Sequence, residues 1–255
     1  MEEFLRVALE ASQAAEDIIM SYFYDNYKVF LKKDQTPVTI ADRQAELAIR
    51  KIIKKNFPGH GFLGEETWEK SRIGNKEFLW IIDPIDGTKN YTRRLPFFGT
   101  QIALMRRGKI ILGVSNLPAL KELMYATKGH GSYLNGRRAY VSKVSNLKDS
   151  FACFGNLKYF EKHNCLEPLL RLARECRHTR EYGDCWMYHL LAQGKVEMAL
   201  EAENKIWDIA ASKIIIEEAG GKFTEFNGKK ITKNSVSGAA TNGILHGKVI
   251  RYFSR

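Results

Sequence analysis

No stretch of the sequence approaches the roughly 18 to 20 consecutive apolar residues that a membrane-spanning helix needs, which excludes an integral helical membrane protein. A basic-then-apolar leader is missing as well. The opening MEEFLRVALEASQAAEDIIM is acidic and amphipathic, so a cytoplasmic protein is expected. Cysteine is scarce: Cys153, Cys165, Cys176 and Cys185 form no CxxC pair and have no histidine at zinc-ligand spacing. That argues against structural zinc and for free thiols in a reducing compartment. Internal repeats, low-complexity tracts and linkers are also lacking. The 255 residues therefore read as one compact body, residues 1–255, with about 1–145 and 146–255 as two packed halves if it divides at all. Acid is in deficit, 29 residues against 40 basic ones, for a net charge of +11. Such a surplus suits nucleic acid, an anionic small substrate or a solvated lysine-rich surface. The bases are dispersed, clustering only at Arg93-Arg94, Arg106 to Lys109 and Arg137-Arg138, which favours the solvated surface.

What is present is ordered by period. Apolar residues at Leu5, Ala8, Ala11, Ala15, Ile18, Ile19 and Tyr22 keep helical spacing over the first two dozen residues. After the polar KKDQTP, Thr39 stands three residues before Asp42 in a capping-box-like arrangement, opening a helix to about Asn56 that Pro58 stops. From Phe78 the pattern turns to strands: FLWIID, GTQIALM, KIILGVSN after an Arg107-Gly108 turn, KELMYAT, and a Gly-rich hairpin in GHGSYLNGR. Helices follow near Glu167 to Cys176 and Cys185 to Ala192, then a strand at VEMALE and a helix in WDIAASKIIIEEAGG closed by its glycines. Short strands GKFTEF and SGAATN and a last helix complete a mixed α/β chain built in layers.

Against this scaffold, WIIDPIDGTKNY sets Asp83, Asp86 and Thr88 at the mouth of an apolar strand. Asp-Pro and Asp-Gly are turn dipeptides, so a surface turn is one reading. A metal site is the other. Two acids three apart around a turn can converge with an intervening carbonyl, as the oxygen-seeking Mg²⁺ requires. Gly87 lets backbone N–H groups approach an oxyanion. Glu65 and Glu66 in GFLGEETW, and Asp208 in the first turn of WDIAAS, join them as candidates, each with a plain alternative as a solvated acid or a macrodipole partner. The set suits metal-assisted attack on a phosphate ester. The one Cys-x5-Arg spacing, Cys165 to Arg171, has no glycine within it and runs into the helix expected near Glu167 to Cys176, so it is not a phosphatase-type loop; with no DxDx[TV] pattern either, a covalent phospho-enzyme is disfavoured.

GEE, WIIDPIDGT and WDIAAS…EEAGG occur in the order and approximate spacing of the inositol monophosphatase family of metal-dependent phosphomonoesterases, and the resemblance runs from TPVTIADRQAE to AATNG. It implies an αβαβα sandwich of the inositol monophosphatase and fructose-1,6-bisphosphatase type, two or three Mg²⁺ per site, a small phosphorylated substrate, a homodimer and no membrane association. Carried over by residue, it implies Glu65, Asp83, the Ile85 carbonyl, Asp86 and Asp208 as metal ligands. Thr88, oriented by Asp42, aligns the attacking water, with Glu65 also in the catalytic set. Gly87 and Thr88 N–H groups hold the phosphate, Glu66 stands behind the ligands, and Glu201 contacts the rest of the substrate.

KDQTPVTIADR, GHGFLGEE, RLPFFGTQIAL and REYGDCWMYHLLAQG resemble the histidinol-phosphatase branch of the family. There Asp184 supplies a carboxylate where inositol-specific members usually carry a small residue. Histidinol phosphate offers an ammonium and an imidazole, and Asp184 and Glu201 could pair with such a cation. Asp184 could equally cap the helix that follows it. Inositol monophosphate, fructose 1,6-bisphosphate and adenosine 3′,5′-bisphosphate are the alternative substrates, with Arg93 and Arg94 as candidates for a second phosphate. The competing class is a binding protein for RNA or the transcription machinery on the same fold. Trp80 and Trp207 read as packing residues, and of the six histidines only His189 invites inspection.

Overall fold

The computed structural model describes residues 1–24, 29–31, 37–66 and 76–254. Helix α1 (Glu2–Phe23) turns Val7, Ala8, Ala11, Ala15, Ile19 and Phe23 inward. Helix α2 (Ile40–Asn56) starts at the expected capping box: the Thr39 hydroxyl accepts from the backbone of Ala41 and Asp42, and the Asp42 carboxylate accepts from the Thr39 N–H. The two helices pack on one another and on a seven-stranded sheet. Most of the polar KKDQTP stretch, residues 32–36, and the segment after Glu66, residues 67–75, lie outside the described residues.

That sheet is ordered β3-β4-β5-β6-β7-β8-β9: Gly61–Gly64, Phe78–Asp86, Gly99–Arg106, Lys109–Leu117, Glu122–Thr127, Gly131–Leu134 and Arg137–Ala139. A short hairpin of β1 (Val29–Leu31) and β2 (Pro37–Thr39) precedes it. From β4 onward it is the antiparallel meander that the alternating pattern predicts. Strand β3 is an addition, parallel to β4. Its GFLG has no period of its own, and pairing with β4 is what makes it a strand.

The expected turn at DPIDG is also corrected. Strand β4 continues through Pro84 to Asp86, with its register to β5 slipping between Asp83 and Asp86. Proline is tolerated there because a bulge asks for no ladder hydrogen bond at that point. The bulge re-aims the strand end that carries both acids.

Alternation along β4 sends Trp80 and Ile82 into the core beneath α1 and α2, and Ile81 into a second core on the opposite face. The second core is filled by α6 (Asp184–Ala192) and α7 (Ile206–Glu218). Helix α7 lies close on β6, where a Cβ at Gly113 would stand 2.6 Å from the Ala211 carbonyl. Beyond these helices runs a five-stranded sheet, β11-β10-β12-β14-β13, made of β10 (Phe151–Phe154), β11 (His178–Arg180), β12 (Met198–Glu201), β13 (Lys222–Thr224) and β14 (Gly238–Thr241). Its outer face packs on α4 (Leu157–Lys162), α5 (Leu166–Glu175) and α8 (His246–Phe253) through Phe160, Leu169, Leu172 and Val249. The layers are therefore αβαβα, as expected. Helix α3 (Thr88–Thr92) is a single turn between β4 and β5. All four cysteines are free, and among the described residues no helix is long and apolar enough to cross a membrane.

Candidate active site

The acids singled out above sit where elements end. Asp83 and Asp86 ride the bulged end of β4, both buried. Asp83 Oδ1 accepts the Ile85 N–H at 3.0 Å, a local loop that fixes its side chain. Glu65 follows the end of the parallel β3, its N–H donating to the Ile82 carbonyl at 3.1 Å, so the GEE segment is zipped to β4. Asp208 occupies the first turn of α7 and accepts the Lys205 N–H at 2.7 Å. Gly87 has φ +83°, and a Cβ there would lie 2.7 Å from the Phe97 carbonyl and 3.3 Å from Asp184 Oδ2. Only glycine fits that turn, and it brings Asp184 against the backbone preceding Thr88.

The acids crowd one another. Burial raises Asp83 well above the ordinary carboxylate range, and Glu65, Asp86 and Asp208 push it further. Asp86 is raised by burial and then by Asp184 and Asp208. Burial lifts Asp208 to about 7 against the pull of the Lys205 N–H. Glu201 is lifted to about 8, by burial first and Asp184 second. For Asp184 the value is about 6, burial outweighing the opposing effects of Lys89 and Asn90. Asp86 Oδ2 is buried with no hydrogen-bond partner among the described residues, although the Cys185 thiol bonds to the same carboxyl group. Among the described residues, no three His, Cys, Asp or Glu side chains form a ready-made ligand cluster as they stand.

Thr88 Oγ1 donates to the Ile85 carbonyl at 2.8 Å and lies 3.4 Å from Asp42 Oδ1. Asp42 is itself pinned through Oδ2 by the Thr39 N–H at 2.7 Å and hydroxyl at 2.6 Å. Its capping role and its approach to Thr88 therefore use different oxygens.

Asp86, Asp184, Glu201 and Asp208 open together onto a cavity of about 270 Å³ between the two sheets, to which Glu181 and Glu203 add further carboxylates. Asp184 is not the helix cap. Gly183 holds that position, while Asp184, at φ 46°, accepts from Asn90 Nδ2 at 2.9 Å. Glu201 lies over Gly155, whose missing Cβ makes room for its carboxylate. Neither Arg93 nor Arg94 lines the cavity, and Arg94 donates instead to the Tyr22 carbonyl at 3.0 Å. His189 is buried away from it, between Ser115 Oγ at 2.8 Å and Glu122 Oε2 at 3.2 Å, as a link between α6 and the sheet. Trp80 lies in the core with its Nε1–H on His60 at 3.0 Å, and Trp207 packs beside the second core.

Three residues at the site escaped the sequence reading. Glu46 is fully buried, and its Oε2 accepts the Glu66 N–H at 2.7 Å, so it organises the GEE segment from below. Its signal was an acid on the apolar stripe of α2, four residues after Asp42. Lys89 and Tyr188 line the cavity, and the Tyr188 hydroxyl is buried with no hydrogen-bond partner among the described residues.

The model of the inositol monophosphatase family matches residues 1–255. The histidinol-phosphatase of Streptomyces coelicolor is 37% identical, covering 98% of this chain and 97% of that protein. The histidinol-phosphatase of Chlorobaculum parvum is 38% identical over 89% of this chain and 87% of its own. Among solved structures, the extragenic suppressor protein suhB from Bartonella henselae superposes with a TM-score of 0.90 at 31% identity over 99% of both chains.

Proposed function

The chain belongs to the inositol monophosphatase family and is a phosphoric monoester hydrolase; from that premise we propose that it is a Mg²⁺-dependent phosphatase whose substrate is L-histidinol phosphate. The donor set fits the ion. Glu65, Asp83, Asp86, Asp208 and the Ile85 carbonyl offer only hard oxygens, which suit Mg²⁺ rather than a softer metal. One of those oxygens, Asp86 Oδ2, is buried with no hydrogen-bond partner among the described residues. Like charges buried together raise one another, and a divalent cation among them restores the ionised forms. When bound, Mg²⁺ supplies Lewis acidity and charge neutralisation at the phosphoryl oxygens.

The chain's own residues supply the rest. The Gly87 and Thr88 N–H groups receive the phosphate. The Thr88 hydroxyl, held between the Ile85 carbonyl and Asp42, orients the attacking water for in-line displacement. Asp184 and Glu201 hold the leaving alcohol.

The observation that carries the choice of substrate is the position of Asp184, whose Oδ2 lies 3.3 Å from the place of a Gly87 Cβ. A carboxylate that close to the phosphate-binding turn repels a bare phosphate ester. It suits an ester whose ammonium stands one carbon away from the ester CH₂, as it does in histidinol phosphate. Inositol 1-phosphate puts a hydroxyl there. The names of the two bacterial relatives support the same reading.

The test is phosphate release with Mg²⁺ from histidinol phosphate, inositol 1-phosphate, fructose 1,6-bisphosphate and adenosine 3′,5′-bisphosphate. The highest kcat/KM is expected for the first. A preference for either bisphosphate or for inositol phosphate overturns the substrate assignment, and no release from any ester overturns the reading as an enzyme.

A further inference from the structure

Six carboxylates line the cavity and, among the described residues, one ammonium does, that of Lys89. Lys89 follows Thr88 directly in the first turn of α3. Its Nζ reaches the Tyr159 hydroxyl of α4 at 3.2 Å, 5.6 Å from the centre of that ring. A neutral phenol is a weak partner for a cation in so acidic a place, and the Lys89 side chain is exposed, so little holds it there. Asp184 feels this charge: Lys89 is the leading influence holding its carboxyl down against burial.

In the resting arrangement, then, Lys89 serves Asp184 as a distant counter-charge. Both groups flank Gly87, the turn read above as the seat of the phosphate. An incoming ester that carries phosphate and ammonium together offers each of them a better partner.

We propose that Lys89 is a substrate-binding and specificity-determining residue: its ammonium leaves Tyr159 to pair with the substrate phosphate, and Asp184 is thereby left to the substrate's own cation. The inference rests on the reading of Gly87 and Asp184 given under Proposed function. It goes beyond it by assigning the phosphate's cationic side-chain partner and by making selectivity a property of a charge pair. An ester without a cation leaves Asp184 uncompensated beside the phosphate once Lys89 has turned away. A cationic ester satisfies both charges.

The experiment compares wild type, Lys89→Met and Lys89→Arg in the Mg²⁺-loaded full chain. It measures KM and kcat on histidinol phosphate and inositol 1-phosphate, and the inhibition constant of inorganic phosphate. For Lys89→Met the phosphate inhibition constant is expected to rise about ten- to a hundredfold, the factor a charge-assisted hydrogen bond carries. KM should rise on both esters, more on inositol 1-phosphate, with kcat changed little, and Lys89→Arg should recover most of the loss. A phosphate inhibition constant within twofold of wild type overturns the assignment of Lys89. A rise with the two esters equally affected overturns its role in selectivity. Inorganic phosphate reports on Lys89 whichever ester is hydrolysed, so failure of the histidinol phosphate assignment is distinguishable from failure of this one.

Discussion

Replacing Asp184 by Asn removes one charge and little else. The residue sits at φ 46° in the left-handed region, which Asn tolerates as well as Asp does. The Asn90 Nδ2 that now donates to Asp184 Oδ2 at 2.9 Å finds a carbonyl oxygen in the same place. Gly183, not Asp184, is the cap of α6, so the helix keeps its start. If Asp184 holds the substrate ammonium as proposed, the variant loses that charged hydrogen bond, worth about 1.5 to 3 kcal/mol. That corresponds to a rise of about ten- to a hundredfold in KM for histidinol phosphate. On inositol 1-phosphate, which has no cation to hold, the same change relieves repulsion beside Gly87, and KM should stay level or fall. Steady-state phosphate release from both esters, measured on one preparation at pH 8, gives the two numbers, and a thermal melt checks that the fold is intact. Equal losses on both esters with an unchanged melting temperature would refute the role given to Asp184.

Glu201 should make stability depend on pH in a definite direction. Its carboxyl titrates at about 8 in the folded chain, against 4.5 ordinarily, because it is buried. The folded state thus holds a proton that the unfolded state has lost, and stability present below about 4.5 is lost as pH rises to about 8, by up to about 1.4 kcal/mol per pH unit. Glu201→Gln abolishes that loss, so in metal-free buffer the variant's advantage in melting temperature should widen from pH 5 to pH 8; an advantage independent of pH would count against it. Glu46→Ala removes the acceptor of the Glu66 N–H and opens space beneath Gly64, whose Cβ would stand 2.3 Å from that carboxylate. A stability loss of about 1–3 kcal/mol, read as several degrees of melting temperature, is expected together with reduced phosphate release. An unchanged melt would show that Glu46 does not support the segment.

Long elements were legible because their periods are long. The α1 stripe, the α2 capping box and the β4-to-β9 meander each repeat a pattern several times. Strands β10, β11 and β3, with three or four residues each, offer no period and exist through their neighbours. The bulge at Pro84 was hidden for a related reason, since a turn dipeptide and a strand bulge share residues and only the β5 ladder tells them apart. At the site, the acids stood out by their motifs, whereas Glu46, Lys89 and Tyr188 acquire meaning only when α2, α3 and α6 are brought around β4. Asp184 shows the limit most sharply: a first-turn Asp resembles a cap in sequence, and its bond to Asn90, ninety-four positions earlier, exists only in the folded chain.

The central claim is that the carboxylates at the ends of β3 and β4 and the start of α7 act by holding a divalent cation for phosphate hydrolysis. Phosphate release by chain stripped with EDTA, before and after addition of Mg²⁺, tests it most directly, with Asp83→Asn and Asp208→Asn alongside. Wild type should be silent when stripped and recover fully with Mg²⁺. Both variants should remain folded and inactive at any Mg²⁺ concentration that saturates wild type. Turnover that survives EDTA, or near-normal turnover by either variant, would contradict the account.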